Sequence, residues 1–84
     1  MNNTTNGPRV RLFGRKVCPL CDTARDLVAE ACAEFGTTFE EIDVDSDPSL
    51  RAEYGELVPV VLVDDKQIGF WRIDPARLRA ALQH

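Results

Sequence analysis

Residues 15–28 read RKVCPLCDTARDLV, with two cysteines three positions apart, a proline between them and two cations just ahead. The residue before a proline avoids the helical region. Cys18 is therefore read as a helix N-cap and Pro19 as the first helical residue, where the missing N–H costs nothing. Leu20, Ala24, Leu27, Val28, Ala31 and Phe35 then recur at helical spacing. Gly36 supplies the stop, because glycine takes the left-handed conformation cheaply.

Working outward, residues 9–13 (RVRLF) alternate charged and apolar groups and predict a strand, followed by a loop, GRKV. Past Gly36, residues 37–44 (TTFEEIDV) predict a second strand, weakened by Glu40 and Glu41. Asp47 and Pro48 start a short helix that ends near Gly55. PVVLVD is β-branched and apolar on both faces, which predicts a central strand. DDK turns the chain into QIGFW, a fourth strand. Asp74 and Pro75 repeat the Asp-Pro start, and ARLRAALQ forms a last helix with Leu78, Ala81 and Leu82 inward. The order is β-α-β-α-β-β-α. A strand-helix-strand unit makes its strands parallel, and a tight turn makes an antiparallel hairpin. The expected class is α/β, a four-stranded mixed sheet with helices on both faces.

The chain has 84 residues, enough for one small domain over residues 9–84, with the polar start, residues 1–8, read as a disordered tail. Hydrophobic residues make up 44% and charged residues 29%, an ordinary globular balance. The net charge of −4 argues against nucleic acid as partner, since phosphates need a basic face. The longest apolar run, LVPVVLV at 57–63, is too short to span a bilayer. No export signal is visible in MNNTTNGP. A cytoplasmic monomer is expected, and structural disulfides are rare in that compartment.

The cysteine pair then points to reactivity. An N-cap side chain accepts hydrogen bonds from the free N–H groups of the first turn, and the helix dipole favours negative charge there. Arg15 and Lys16 add positive potential, while Asp22 opposes it. The balance leaves Cys18 more acidic than a free thiol. Cys21 lies one turn above, within disulfide reach. Cys18 can attack a substrate disulfide, and Cys21 can then release the substrate. A closed structural zinc site needs four ligands, and only Cys32, carboxylates and His84 remain. Cys32 lies about 16 Å further along the helix, so it is read as a small buried hydrophobe. No cofactor is assigned. A structural Cys18–Cys21 bridge would close too small a loop to stabilise much.

CPLC at the first strand-to-helix junction, VPV opening the third strand and the element order together resemble the glutaredoxins, small thiol-disulfide oxidoreductases with the thioredoxin fold. The resemblance spans about residues 9–82 and looks closest to short bacterial glutaredoxin-like proteins. It implies that Cys18 is the nucleophile and Cys21 the resolving thiol. It also implies a cis Val58–Pro59 peptide beside the disulfide, with the Val58 backbone pairing to an extended substrate. From the residues alone, Pro59 only opens a strand. The expected partners are a disulfide-bearing protein or low-molecular-weight thiol and a reductant.

Departures from the glutaredoxin pattern are equally visible. Leu20 stands where Tyr or Phe is usual within the motif, and Leu57 where Thr precedes the proline. GFWRID replaces the Gly-Gly and Asp that hold the amino-acid end of glutathione: Gly69 remains, Phe70 stands for the second glycine and Arg72 for an acid. Arg15 is the remaining partner for a substrate carboxylate. Alternation places Phe70 and Trp71 on opposite faces of the fourth strand. For Phe70 cover of the sheet under helices is favoured, and for Trp71 cover and a binding rim are weighed evenly. Two other function classes stand beside the enzyme: a module holding an iron–sulfur cluster through Cys18 across a dimer, and a redox-sensing interaction domain.

Overall fold

A computed structural model describes residues 8–83; the tail expected over residues 1–8 lies outside them apart from Pro8, as does His84. The strands are β1 (Val10–Gly14), β2 (Phe39–Asp43), β3 (Val60–Val63) and β4 (Lys66–Phe70). The helices are α1 (Pro19–Glu34), α2 (Pro48–Tyr54) and α3 (Pro75–Leu82). A 3-10 turn, Val44–Ser46, links β2 to α2 and shortens the strand expected over 37–44. The sheet order is β2-β1-β3-β4. β1 runs parallel to β2 and antiparallel to β3, and β3 runs antiparallel to β4. β3 is interior and all four of its residues are buried, which is why it reads apolar on both faces.

One device starts all three helices: an acceptor side chain followed by proline. Asp47 Oδ1 accepts the Ser49 N–H at 2.8 Å, and Asp74 Oδ1 accepts the Ala76 N–H at 3.0 Å. In α1 the acceptor is the Cys18 sulfur, which takes the Cys21 N–H at 3.2 Å. At the other end of α1, Gly36 has φ +65°, so the stop follows from glycine's freedom. The β3–β4 hairpin turns through Asp64 (φ +51°) and Asp65 (φ +68°), the two-residue turn whose twist suits adjoining strands. Arg9 donates two hydrogen bonds to the Asp64 carboxylate, at 2.9 and 2.8 Å, and ties that turn to the start of β1.

The sheet has a core on each face. On one face Val10, Leu12, Val61 and Val63 pack with Ala24, Val28 and Ala31 of α1 and Leu78 and Leu82 of α3. On the other, Phe13, Val60 and Leu62 pack with Val44, Leu50 and Tyr54, and the Phe13 and Tyr54 rings stack at 4.6 Å. Leu78 is fully buried, so Leu78→Ala is expected to cost about 2–5 kcal/mol of stability. Urea unfolding of the two proteins measures it directly.

Among the described residues, no helix is long and apolar enough to cross a membrane. β4 ends at Phe70, one residue before the expected strand does, because Trp71 turns left-handed with φ +60°. That turn ends the alternation on which a covering role for the two rings rested. Phe70 is 42% exposed and Trp71 52%, and the rings meet edge to face at 5.1 Å.

Candidate functional site

Cys18 has φ −153° and ψ 100°, the extended conformation that lets an N-cap side chain fold back over the first turn. Its sulfur is bonded to that of Cys21, with the two Cα atoms 5.2 Å apart. The cysteines differ in access. Cys18 is half-buried, whereas Cys21 is 1% exposed. Gly14, the last residue of β1, backs the pair: a Cβ there would lie 3.2 Å from Cys21 Sγ and 3.4 Å from Cys21 Cβ. GRKV predicts a loop here, whereas Gly14 ends β1 and touches Cys21. A glycine where a strand leads into a reactive loop is the available sign of close approach.

Gly14→Ala is therefore expected to push the Cys21 sulfur off its line to Cys18. Small displacements of reacting atoms are expensive, so oxidation of the reduced protein by a small disulfide should slow by roughly three- to tenfold. Stopped-flow detection of disulfide formation checks this.

The charges around the pair are arranged by residues distant in sequence. Asp22, in the first turn of α1, is held by Arg25 Nη1 at 2.9 Å, and Arg25 also reaches Glu41 at 2.6 Å. The Asp22 carboxylate thus opposes a Cys18 thiolate less than its sequence position implies. Arg15 is also engaged: its Nη2 donates to Asp45 Oδ1 at 3.2 Å. Its Nε lies 3.1 Å from Asp45 Oδ2, close enough for an ion pair but misdirected for a hydrogen bond. A substrate carboxylate at Arg15 has to compete with Asp45. Lys16 is exposed and has no carboxylate within ion-pair distance among the described residues.

Cys32 is buried in the α1 face of the core, and burial pushes its thiol pKa up. It stays a neutral thiol away from the pair. Among the described residues, no group of three or more His, Cys, Asp or Glu side chains gathers at metal-binding spacing.

The second wall of the site is the segment ahead of β3. The Val58–Pro59 peptide is cis and Pro59 is fully buried. Val58 lines a groove with Leu20, Phe70, Trp71 and Arg72. Trp71 ties that wall in place. Its backbone N–H donates to Pro59 O at 2.9 Å and Leu57 O at 3.3 Å, and its indole Nε1–H donates to Glu56 O at 2.9 Å. A left-handed conformation costs a non-glycine residue about 1–2 kcal/mol. Hydrogen bonds contribute about 0.5–1.5 kcal/mol each, enough to offset it.

A profile of the glutaredoxin-like domain (DUF836) matches residues 9–83. The chain belongs to this glutaredoxin-like family. An uncharacterized protein of Mycobacterium tuberculosis is 40% identical over 78 residues, covering 87% of this chain and 80% of that one. The X-ray structure of a structural-genomics target from X. campestris superposes with a TM-score of 0.72 at 35% identity, covering 88% of this chain and 95% of that one. Wheat glutaredoxin superposes at 0.59 with 26% identity, over 89% and 79% of the two chains. Thioredoxin 1 of Thermosipho africanus, 20% identical, superposes at 0.63 over 88% and 89%. The fold is thus the thioredoxin-like α/β fold, and this glutaredoxin-like domain presents its Cys18–Cys21 pair at the β1–α1 junction.

Proposed function

We propose that this protein is a thiol-disulfide oxidoreductase that reduces disulfides through Cys18 and Cys21. The observation that supports this best is the Cys18 sulfur at the α1 N-cap. It occupies the position that carries an aspartate carboxylate at α2 and α3, so the local field suits an anion. In the reduced protein the Cys18 thiolate attacks one sulfur of a substrate disulfide. A mixed disulfide forms, and the other substrate sulfur leaves as a thiolate. Cys21, losing its proton, attacks Cys18 Sγ. The Cys18–Cys21 disulfide forms and the second substrate thiolate leaves. Two electrons have passed to the substrate, and two thiols of a dithiol or low-molecular-weight thiol reductant restore the pair.

Val58 suits substrate contact. It shares a groove with Leu20, the residue that follows Pro19 between the cysteines in the chain, and its backbone N–H and C=O have no hydrogen-bond partner among the described residues. An extended substrate can pair with them. The chemistry fits the cytoplasm, where thiols are kept reduced.

The experiment is a stoichiometric one. Reduced protein is mixed with a disulfide-linked peptide, and thiols are counted on both. The peptide should gain two thiols as the protein loses those of Cys18 and Cys21. Unchanged thiols on both sides would exclude it.

A further inference from the structure

Three of the four large apolar side chains left exposed among the described residues line one groove, and the fourth is next to Cys18 in the chain. They are Val17 at 96%, Leu20 at 38%, Phe70 at 42% and Trp71 at 52%. Val17 and Leu20 flank Cys18 in the chain, and Leu20 shares its groove with Phe70 and Trp71. Exposed apolar side chains scattered singly need no explanation, but a cluster beside a reactive group marks a contact surface.

Two further features narrow what fits. The groove is preformed, because Trp71 is fastened to the 56–59 segment by its backbone and its indole N–H. The Trp71 ring therefore loses little freedom when covered. The groove also carries one positive charge, that of Arg72. Every arginine among the described residues except Arg72 and Arg77 has a carboxylate within ion-pair distance. Arg72 lines the groove and is exposed. It is a cation awaiting an external anion beside an apolar floor.

We infer that this groove is a specificity subsite for polypeptide disulfides, seating an apolar side chain next to the substrate cysteine against Phe70 and Trp71 and an acidic side chain on Arg72. The inference rests on the oxidoreductase reading and adds the class of substrate. The substrate is a peptide segment whose cysteine has both an apolar and an acidic neighbour. The apolar contact supplies most of the discrimination. The exposed ion pair adds a smaller, salt-sensitive part.

The test compares four disulfide-linked peptides that differ only beside the cysteine: Leu or Ser at the adjacent position, and Glu or Lys at the next. Wild-type protein should reduce the Leu peptides with kcat/KM about tenfold above the Ser peptides, and the Glu peptides about two- to fivefold above the Lys peptides. Phe70→Ala and Trp71→Ala should lose the Leu preference, and Arg72→Glu should invert the charge preference. Each readout is a ratio within one preparation, so a reduced folded fraction does not alter it. A small disulfide lacking side chains serves as the control with wild-type protein. Turnover of that control with all four peptides used equally would overturn the subsite and leave the oxidoreductase reading standing. Turnover of neither would remove both. Conversion of a dimer to a monomer by Phe70→Ala, with peptide preference unchanged, would assign the patch to self-association and overturn the inference.

Discussion

Cys18→Ser should abolish disulfide reduction, a loss on the order of 10³-fold or more, whereas Cys21→Ser should complete the first step and stop with substrate attached to Cys18. The asymmetry follows from position. The Cys18 sulfur is half-buried and sits at the positive end of α1 with an N–H donated to it. Cys21 is 1% exposed and packed against Gly14, placed to reach Cys18 but shielded from a bulky disulfide. Cys32 cannot substitute, because it is buried and its thiol pKa is pushed up. Non-reducing gels and intact mass should show a mixed disulfide with Cys21→Ser and none with Cys18→Ser. Equal trapping by both variants would contradict the assignment of roles.

Glutathione-coupled turnover should be weak, roughly ten- to a hundredfold below that of a typical glutaredoxin. Glutathione brings two carboxylates and one ammonium. In the glutaredoxin pattern a glycine pair and an acid receive its amino-acid end; here a Phe70 ring and the Arg72 guanidinium stand there. Arg72 is exposed, so solvent screens its repulsion of an ammonium and limits the penalty. The ring removes the close backbone approach that a second glycine would allow. Neither remaining candidate restores the site. Arg15 is already paired with Asp45, and Asp74 is spent on capping α3 through the Ala76 N–H. Titrating glutathione disulfide against the reduced protein, beside a thioredoxin-type reductase assay, measures the deficit. Arg72→Asp should improve glutathione use. Efficient glutathione turnover by the wild type would refute this account of the pocket.

What the sequence showed was local, and what it hid was long-range. Cys18-Pro19, Asp47-Pro48 and Asp74-Pro75 each announce a helix start, because proline fixes its own φ and the residue before it supplies the cap. The hairpin was legible in DDK for the same kind of reason. β3 was legible as central, because strands buried on both faces lose alternation. Trp71 was not legible. Period-2 reasoning assumes extended backbone, and the left-handed turn at Trp71 depends on carbonyls of residues 56, 57 and 59 that only the fold brings near. The Arg15–Asp45 pair joins residues thirty positions apart and has no local signature. The two cysteines could be found from spacing. Their supporting residues, Gly14 behind Cys21 and Arg25 holding Asp22, needed the tertiary structure.

The central claim is that Cys18 is an activated thiolate at a helix N-cap. The pH dependence of iodoacetamide alkylation, mapped to individual cysteines by peptide mass on the reduced protein, tests it most directly. Cys18 should be modified first, and its rate should reach half its maximum below the value of about 8.5 of a free cysteine. A half-maximum at or above that value, or labelling of Cys21 ahead of Cys18, would contradict the account.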